Sequence, residues 1–292
     1  MLTMSNTGEG FAKPDDVNCL KKIWADVFED APEVLNVFFD TLFVPENTVV
    51  YRMDGQIVSV MYLLPCRQSS GGDGMYIYAV ATVSSYRGRG LSSRLLAYAN
   101  KTAGERGYLF TVLVPSEKSL FDFYRKNGYN KTISLRQVTL SREELLTICV
   151  SGQKADTVRT EDIYSVRKQN MRKNGSYIEF PVEHLQYSEY ILGYYGKKLL
   201  QIGNTTGQGY IVCDKIGNNV IVKELSVEED LLPGAVGILL QNYPQSNKFM
   251  FCLPVNGVLF SGLGENIEYG LAQKLCENGF IDDDPFMSMV LD

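Results

Sequence analysis

The sequence is poor in several residues on which much protein chemistry depends. It holds one histidine, His184, among 292 residues, which excludes metal sites built from several imidazoles. Its six cysteines, Cys19, Cys66, Cys149, Cys213, Cys252 and Cys276, form no CxxC pair. They read as small core residues in a reducing compartment, and no metal is expected. No apolar run nears the roughly 18 residues of a membrane helix, 108–115 being typical of the longest. The first fourteen residues have no charged start before an apolar stretch, so no signal peptide is expected and the chain reads as cytoplasmic. Positive charge is also short: residues 1–150 balance 16 Lys+Arg against 16 Asp+Glu, and residues 151–292 carry 12 against 18. A net charge of −6 without a basic stripe argues against nucleic acid, so any phosphate must be held by a local positive site.

What is present is a large apolar fraction, 45%, enough for a sizeable core, in a chain long enough for roughly two domains. Residues 17–28 and 32–42 carry helical stripes, with Asp30 as the expected cap of the second helix. A hairpin follows over 48–64, turning at Asp54-Gly55, then a strand over 75–83. A helix from Leu91, a strand over 109–114, a helix over 116–126 and a strand over 133–140 complete an α/β (α+β) order with a mixed sheet. A polar stretch, 151–160, reads as a linker, dividing the chain into domains 1–150 and 151–292. Beyond it come helices over 161–173 and 182–195 and a hairpin over 209–227. A helix over 233–242, a strand over 249–253 and a helix over 268–277 stopped by Gly279 follow. Local matches between the halves suggest a duplication: Phe110 to Pro115 against Phe249 to Pro254, and Asn127-Gly128-Tyr129 against Asn278-Gly279-Phe280.

The most informative segment is Val80-Ala81-Thr82 followed, past Ser85, by Arg87-Gly88-Arg89-Gly90-Leu91-Ser92-Ser93. A strand ends, a tight turn carries two glycines and two arginines, and a helix begins. Glycine lets the backbone approach a ligand, and the first helical amides have no internal partners and sit at the positive end of the helix dipole. Together these suit a pyrophosphate. The spacing fits neither GxxxxGK[ST] nor GxGxxG. The plain alternative is an exposed basic turn whose glycines serve only its shape.

About 25 residues after the second glycine comes strand-Pro-Ser-helix and then Phe123-Tyr124-x-x-x-Gly128-Tyr129. With the turn, this resembles the GNAT superfamily of acyl-CoA-dependent N-acyltransferases over roughly residues 15–140. Two modules in tandem are similar to the enhanced-intracellular-survival acetyltransferases, whose third, sterol-carrier-like domain 292 residues would not accommodate. The resemblance implies two GNAT-like modules, each a mixed, mostly antiparallel sheet flanked by helices, with acetyl-CoA as co-substrate. It implies that Val80, Ala81 and Thr82 pair with the pantetheine arm and that amides from Gly88 to Ser93 hold the pyrophosphate. Arg87 and Arg89 would supply positive charge, since Ser85 stands where the family usually has Gln or Arg. Tyr124 matches the tyrosine beside the thioester sulfur, although Leu120, Phe123 and Tyr124 are also spaced as a core stripe.

The reaction implied is acetyl transfer to a primary amine of a small molecule or peptide by direct attack. A phenol near pKa ~10 facing a thiol near ~8.5 is uphill as an acid by about 2 kcal/mol, so Tyr124 is expected to donate a hydrogen bond to the departing thiolate. Glu29, Asp30 and Glu117 are carboxylates at element ends, but none stands out as a base. Cys66 lacks a nearby histidine and reads as packing, and His184 reads as structural. In the second half, Glu228-Glu229-Asp230 occupy the place of the phosphate turn and Leu275 that of Tyr124, so this module is expected not to bind CoA. Its acidity would suit an amine-bearing acceptor. The alternative to an enzyme is an acyl-CoA sensor or scaffold that has lost transfer. Acceptor and oligomeric state are not legible.

Overall fold

The structure is a computed structural model and describes residues 7–150, 156–157, 163–173, 175–203, 207–277 and 281–288. The chain runs through β1 (Gly8–Phe11), α1 (Val17–Phe28), α2 (Pro32–Thr41), β2 (Thr48–Met53), β3 (Gln56–Gln68) and β4 (Asp73–Thr82). It continues with α3 (Leu91–Glu105), β5 (Phe110–Leu113), α4 (Ser119–Lys126), β6 (Lys131–Ser141), α5 (Arg142–Val150) and β7 (Asp156–Thr157). Then come α6 (Ile163–Arg172), β8 (Ile178–Glu179), α7 (Val182–Tyr194), β9 (Lys198–Gly203), β10 (Gln208–Ile216) and β11 (Asn219–Ser226). The last are α8 (Leu232–Asn242), β12 (Lys248–Leu253) and β13 (Glu265–Lys274). None of the described helices is long and apolar enough to cross a membrane. The elements form a mixed α/β fold in two compact units that are not contiguous halves. Among the described residues, the first comprises 7–132 with 270–277 and 281, and the second those within 133–269 with 282–288.

In the first unit the strands lie in the order β1-β2-β3-β4-β5, followed by the second half of β13. All neighbours are antiparallel except β4 and β5, which run parallel. Asp54 and Gly55 both take positive φ, the hairpin turn expected between β2 and β3. Side chains alternate across β3 and β4. Met61, Leu63, Met75 and Ile77 pack with Leu95, Leu96 and Ala99 of α3, while Tyr62 and Tyr78 face Trp24 of α1 and Phe38 of α2. Helix α2 begins one residue later than the Asp30 cap predicts: Ala31 is the N-cap and Pro32, with its fixed φ, opens the helix. The Asp30 carboxylate instead accepts a hydrogen bond from the Trp24 indole at 2.8 Å.

The second unit repeats the strand pattern. Its order is the first half of β13, then β6-β12-β11-β10-β9-β7, with β11 and β12 the parallel pair. Val222, Phe249 and Phe251 pack against Ala235, Val236 and Leu239 of α8. The helix expected over 268–277 is a strand, because Ile267, Tyr269, Leu271 and Gln273 recur with period two. Leu271 to Lys274 pair with β5 in the first unit. Leu275 therefore has no helix to stand on: its amide donates to the Leu109 carbonyl at 3.0 Å and its side chain packs on the first unit's core. Between β12 and β13 no helix occupies residues 254–264. That loop is gathered around buried Arg136, whose guanidinium donates to the carbonyls of Gly257, Leu259, Phe260 and Leu263 at 2.6–3.0 Å. Gly279, Phe280 and most of the stretch 151–160 lie outside the described residues.

Candidate functional site

Strand β4 prepares the site by leaving β5 while it stays paired with β3. Tyr62 on β3 faces Tyr78, but Val60 faces Ala81, so β4 carries one extra residue and bulges at Ala79, whose φ is +47°. Against β5 it pairs only from Gly74 to Tyr76. The two parallel strands thus part before Val80, Ala81 and Thr82, which pair with no residue of β5. A bulge without a glycine has no marker in the sequence, so nothing there points to Ala79.

After β4 the chain makes a short 3-10 turn, Ser84–Tyr86, and rises into α3 through Gly88 at φ +74° and Gly90 at φ +72°. A left-handed backbone at both positions is the reason for both glycines, and a Cβ on either would meet open space. Gly90 is the N-cap and offers no side chain to the helix. Among the described residues no protein acceptor takes the amides of Gly88, Arg89, Gly90, Leu91, Ser92 or Ser93. The first paired amide is that of Arg94, to the Gly90 carbonyl at 3.1 Å. Buried Leu91 pins the helix start to the core while its amide faces this open end. Six unpaired donors at a helix N-terminus, with about half a unit of positive charge from the dipole, are an arrangement that suits an anion.

Both arginines brace the turn from outside. Arg87 Nε donates to the Thr82 carbonyl at 3.1 Å, and Arg89 donates to the Ser85 carbonyl at 3.2 Å with its guanidinium over the Tyr86 ring. Beneath the turn, the hydroxyls of Ser59, Thr82 and Ser92 lie in a chain at 2.7 and 3.3 Å. Only the strand register brings Ser59 there.

Tyr124, on α4, belongs to the same apolar cluster as Leu91, with Val80 and Tyr86 packed against it. It is 8% exposed, its ring lies edge-on to Phe123 and Tyr129, and burial pushes its phenol up to about 12. Its hydroxyl has no protein partner among the described residues, whereas the Tyr129 hydroxyl bonds Asn100 and Thr111. Gln273 of β13 completes that network by accepting from Asn100 at 2.7 Å. Burial pushes the Cys66 thiol up as well, which suits packing rather than nucleophilic work. Exposed Glu117 accepts from the Ser119 hydroxyl, and Glu29 closes α1 in a left-handed conformation. In the second unit, His184 is buried with its ring stacked on Phe180 at 4.0 Å.

Where the second unit's sheet reaches the corresponding point, the end of β11, Glu228 leads into the turn Glu229–Leu231 and directly into α8. A cavity of about 330 Å³ opens here, lined by Asn170, Lys173, Val227, Glu228, Glu229, Asp230 and Val258. Its one lysine is tied to Glu228 at 2.7 Å, so the lining is net negative.

Residues 11–132 match the family model described as an acetyltransferase (GNAT) domain. That match ends where the first unit's continuous stretch ends, at Thr132. Comparison with curated proteins found no match. Among solved structures the fold is similar to a GCN5-related N-acetyltransferase from Anabaena variabilis. That pair shares 16% identity and a TM-score of 0.70, covering 92% of this chain and 72% of that one. Eis1 from Mycobacterium abscessus is similar with 12% identity and a TM-score of 0.67, covering 92% and 74%. A tandem GNAT protein from the clavulanic acid biosynthesis pathway has 13% identity and a TM-score of 0.50, covering 92% and 99%.

Proposed function

Because residues 11–132 belong to the GNAT superfamily, we propose that the first unit is an N-acetyltransferase using acetyl-CoA as co-substrate and a primary amine of a small molecule or peptide as acceptor. The observation that carries this reading is the run of six unpaired amides, Gly88 to Ser93, at the end of a strand that has left its neighbour. The amides take the pyrophosphate, with Arg87 and Arg89 adding charge at the rim. The edge at Val80, Ala81 and Thr82, which β5 leaves without a strand partner, takes the pantetheine arm as an added strand. This leads the thioester toward Tyr124.

The acceptor nitrogen attacks the thioester carbonyl carbon directly, forming a C–N bond as the C–S bond breaks. The amine proton passes to solvent and the electron pair leaves on sulfur. A phenol near 12 lies about 3.5 pH units above a thiol near ~8.5, so full proton transfer from Tyr124 is uphill by roughly 5 kcal/mol. Tyr124 therefore stabilises the thiolate by a hydrogen bond and stays protonated at every working pH. A lysine-like acceptor at ~10.4 needs about 4.6 kcal/mol to lose its proton at pH 7, against about 1 kcal/mol for an α-amine, so activity should rise toward alkaline pH with the acceptor's titration. The second unit, acidic at the matching point and without a helix in the place of α4, is proposed as a module that binds no CoA. A cytoplasmic setting goes with this reading, and the six cysteines are free thiols.

Calorimetry with CoA and a turnover assay on an amine panel test the proposal. One CoA per chain is expected, with Tyr124→Phe lowering kcat by about 10- to 100-fold at unchanged CoA affinity. Full turnover by Tyr124→Phe would remove Tyr124 from the chemistry. CoA binding with no acceptor acetylated would favour the sensor.

A further inference from the structure

Ser59 is fully buried on β3, directly across from Thr82 in the strand register. Its hydroxyl lies 3.0 Å from the Ala81 carbonyl and 2.7 Å from the Thr82 hydroxyl, which in turn lies 3.3 Å from the Ser92 hydroxyl. These three groups join the sheet interior to the first turn of α3. We propose that Ser59 is a positioning residue for the anion cradle, acting through Thr82 to aim the Ser92 hydroxyl at the bound phosphate. This rests on the reading that Gly88 to Ser93 hold the pyrophosphate of CoA.

A hydroxyl has one proton to give and two lone pairs with which to accept. With the cradle empty, Ser59 donates to the Ala81 carbonyl, so Thr82 must donate to Ser59 and Ser92 to Thr82. Every proton then points inward. Ser59 has a second acceptor, however, in Thr82 itself. When a phosphate oxygen arrives, the chain reverses by rotation about three C–O bonds, with no proton transferred between groups. Ser59 now donates to Thr82, Thr82 to Ser92, and Ser92 to the phosphate. Each donor in such a chain is polarised by the one behind it, which strengthens the final bond. Ser59 makes the reversal possible because it alone of the three faces a backbone carbonyl in one orientation and a hydroxyl in the other. Thr82 is well placed as the middle member, since its carbonyl is also held, by Arg87.

The test is a double-mutant cycle on CoA affinity in the full-length protein, by calorimetry, with thermal melting to confirm folding. Ser92→Ala should weaken CoA binding by about tenfold and Ser59→Ala by about threefold. The double variant should bind no more weakly than Ser92→Ala alone, because Ser59 has no route to the phosphate except through Ser92. Thr82→Val, which removes only the middle hydroxyl, should match Ser59→Ala and serves if the latter fails to fold. A loss from Ser59→Ala that persists undiminished in the Ser92→Ala background would overturn the relay, showing a general packing effect. Unchanged affinity in Ser59→Ala and Thr82→Val would overturn it too. If the wild-type protein bound no CoA, the cradle reading itself would fall and the relay with it, an outcome distinct from CoA binding that ignores these hydroxyls.

Discussion

The two units share one strand plan and differ where the first strand of the parallel pair leads into its helix. In both, a parallel pair of strands is flanked by antiparallel ones, and a helix follows the first strand of the pair. The first unit enters that helix through two left-handed glycines and leaves six amides open, while the second enters through three carboxylates. The first has α4 with Tyr124; the second has a loop folded around Arg136. Their interiors differ as well. The first buries a neutral network of Asn100, Thr111, Tyr129 and Gln273, the second an ionic one. In the latter, Arg167 pairs with Glu224 at 3.1 Å, and the Tyr210 and Ser288 hydroxyls also bond that carboxylate. A sheet architecture can thus be retained while its ligand end is rewritten, because the strand ladder depends on backbone pairing and apolar alternation, and the ligand end depends on a few φ values and charges.

Three substitutions sharpen or break this comparison. The largest effect is expected from Glu224→Ala, which leaves the Arg167 guanidinium charged and unpaired in the core. A loss of about 3–5 kcal/mol is expected in chemical denaturation, and a loss under 1 kcal/mol would mean that the ionic interior adds nothing over the neutral one. Next is Gly90→Glu, which imposes the second unit's chemistry on the first. A carboxylate and a strained positive φ at the cradle should weaken CoA binding by about a hundredfold or more, roughly 2.7 kcal/mol. Near-normal affinity would show that the phosphate lies elsewhere. The smallest effect is expected from Gln273→Ala, which removes one neutral partner from Asn100. It should cost about 1 kcal/mol, and a loss matching Glu224→Ala would erase the contrast between the interiors.

The cradle was legible because its physics is local: Arg87 to Ser93 contain the glycines, the helix start and the charge within seven residues. The position of Tyr124 on a helix was legible from the stripe Leu120, Phe123 and Tyr124. Residues 265–274 misled, because Leu271, Ala272 and Leu275 can also be read as a helical face, and period two prevails only once β5 supplies a partner strand. Asp30 has the residue type of a helix cap, but the Trp24 indole engages its carboxylate and Pro32 begins the helix one residue on.

By itself the sequence determined what short-range sterics and charge decide: which segments turn, where a helix starts behind two glycines, and where acidic residues gather. Only the tertiary structure decided that residues 270–274 complete the first unit's sheet, that β4 bulges at Ala79, and that Thr82 links Ser59 to Ser92. Strand partners are chosen among segments far apart in the chain by the burial they achieve together, and no single stretch of sequence carries that sum.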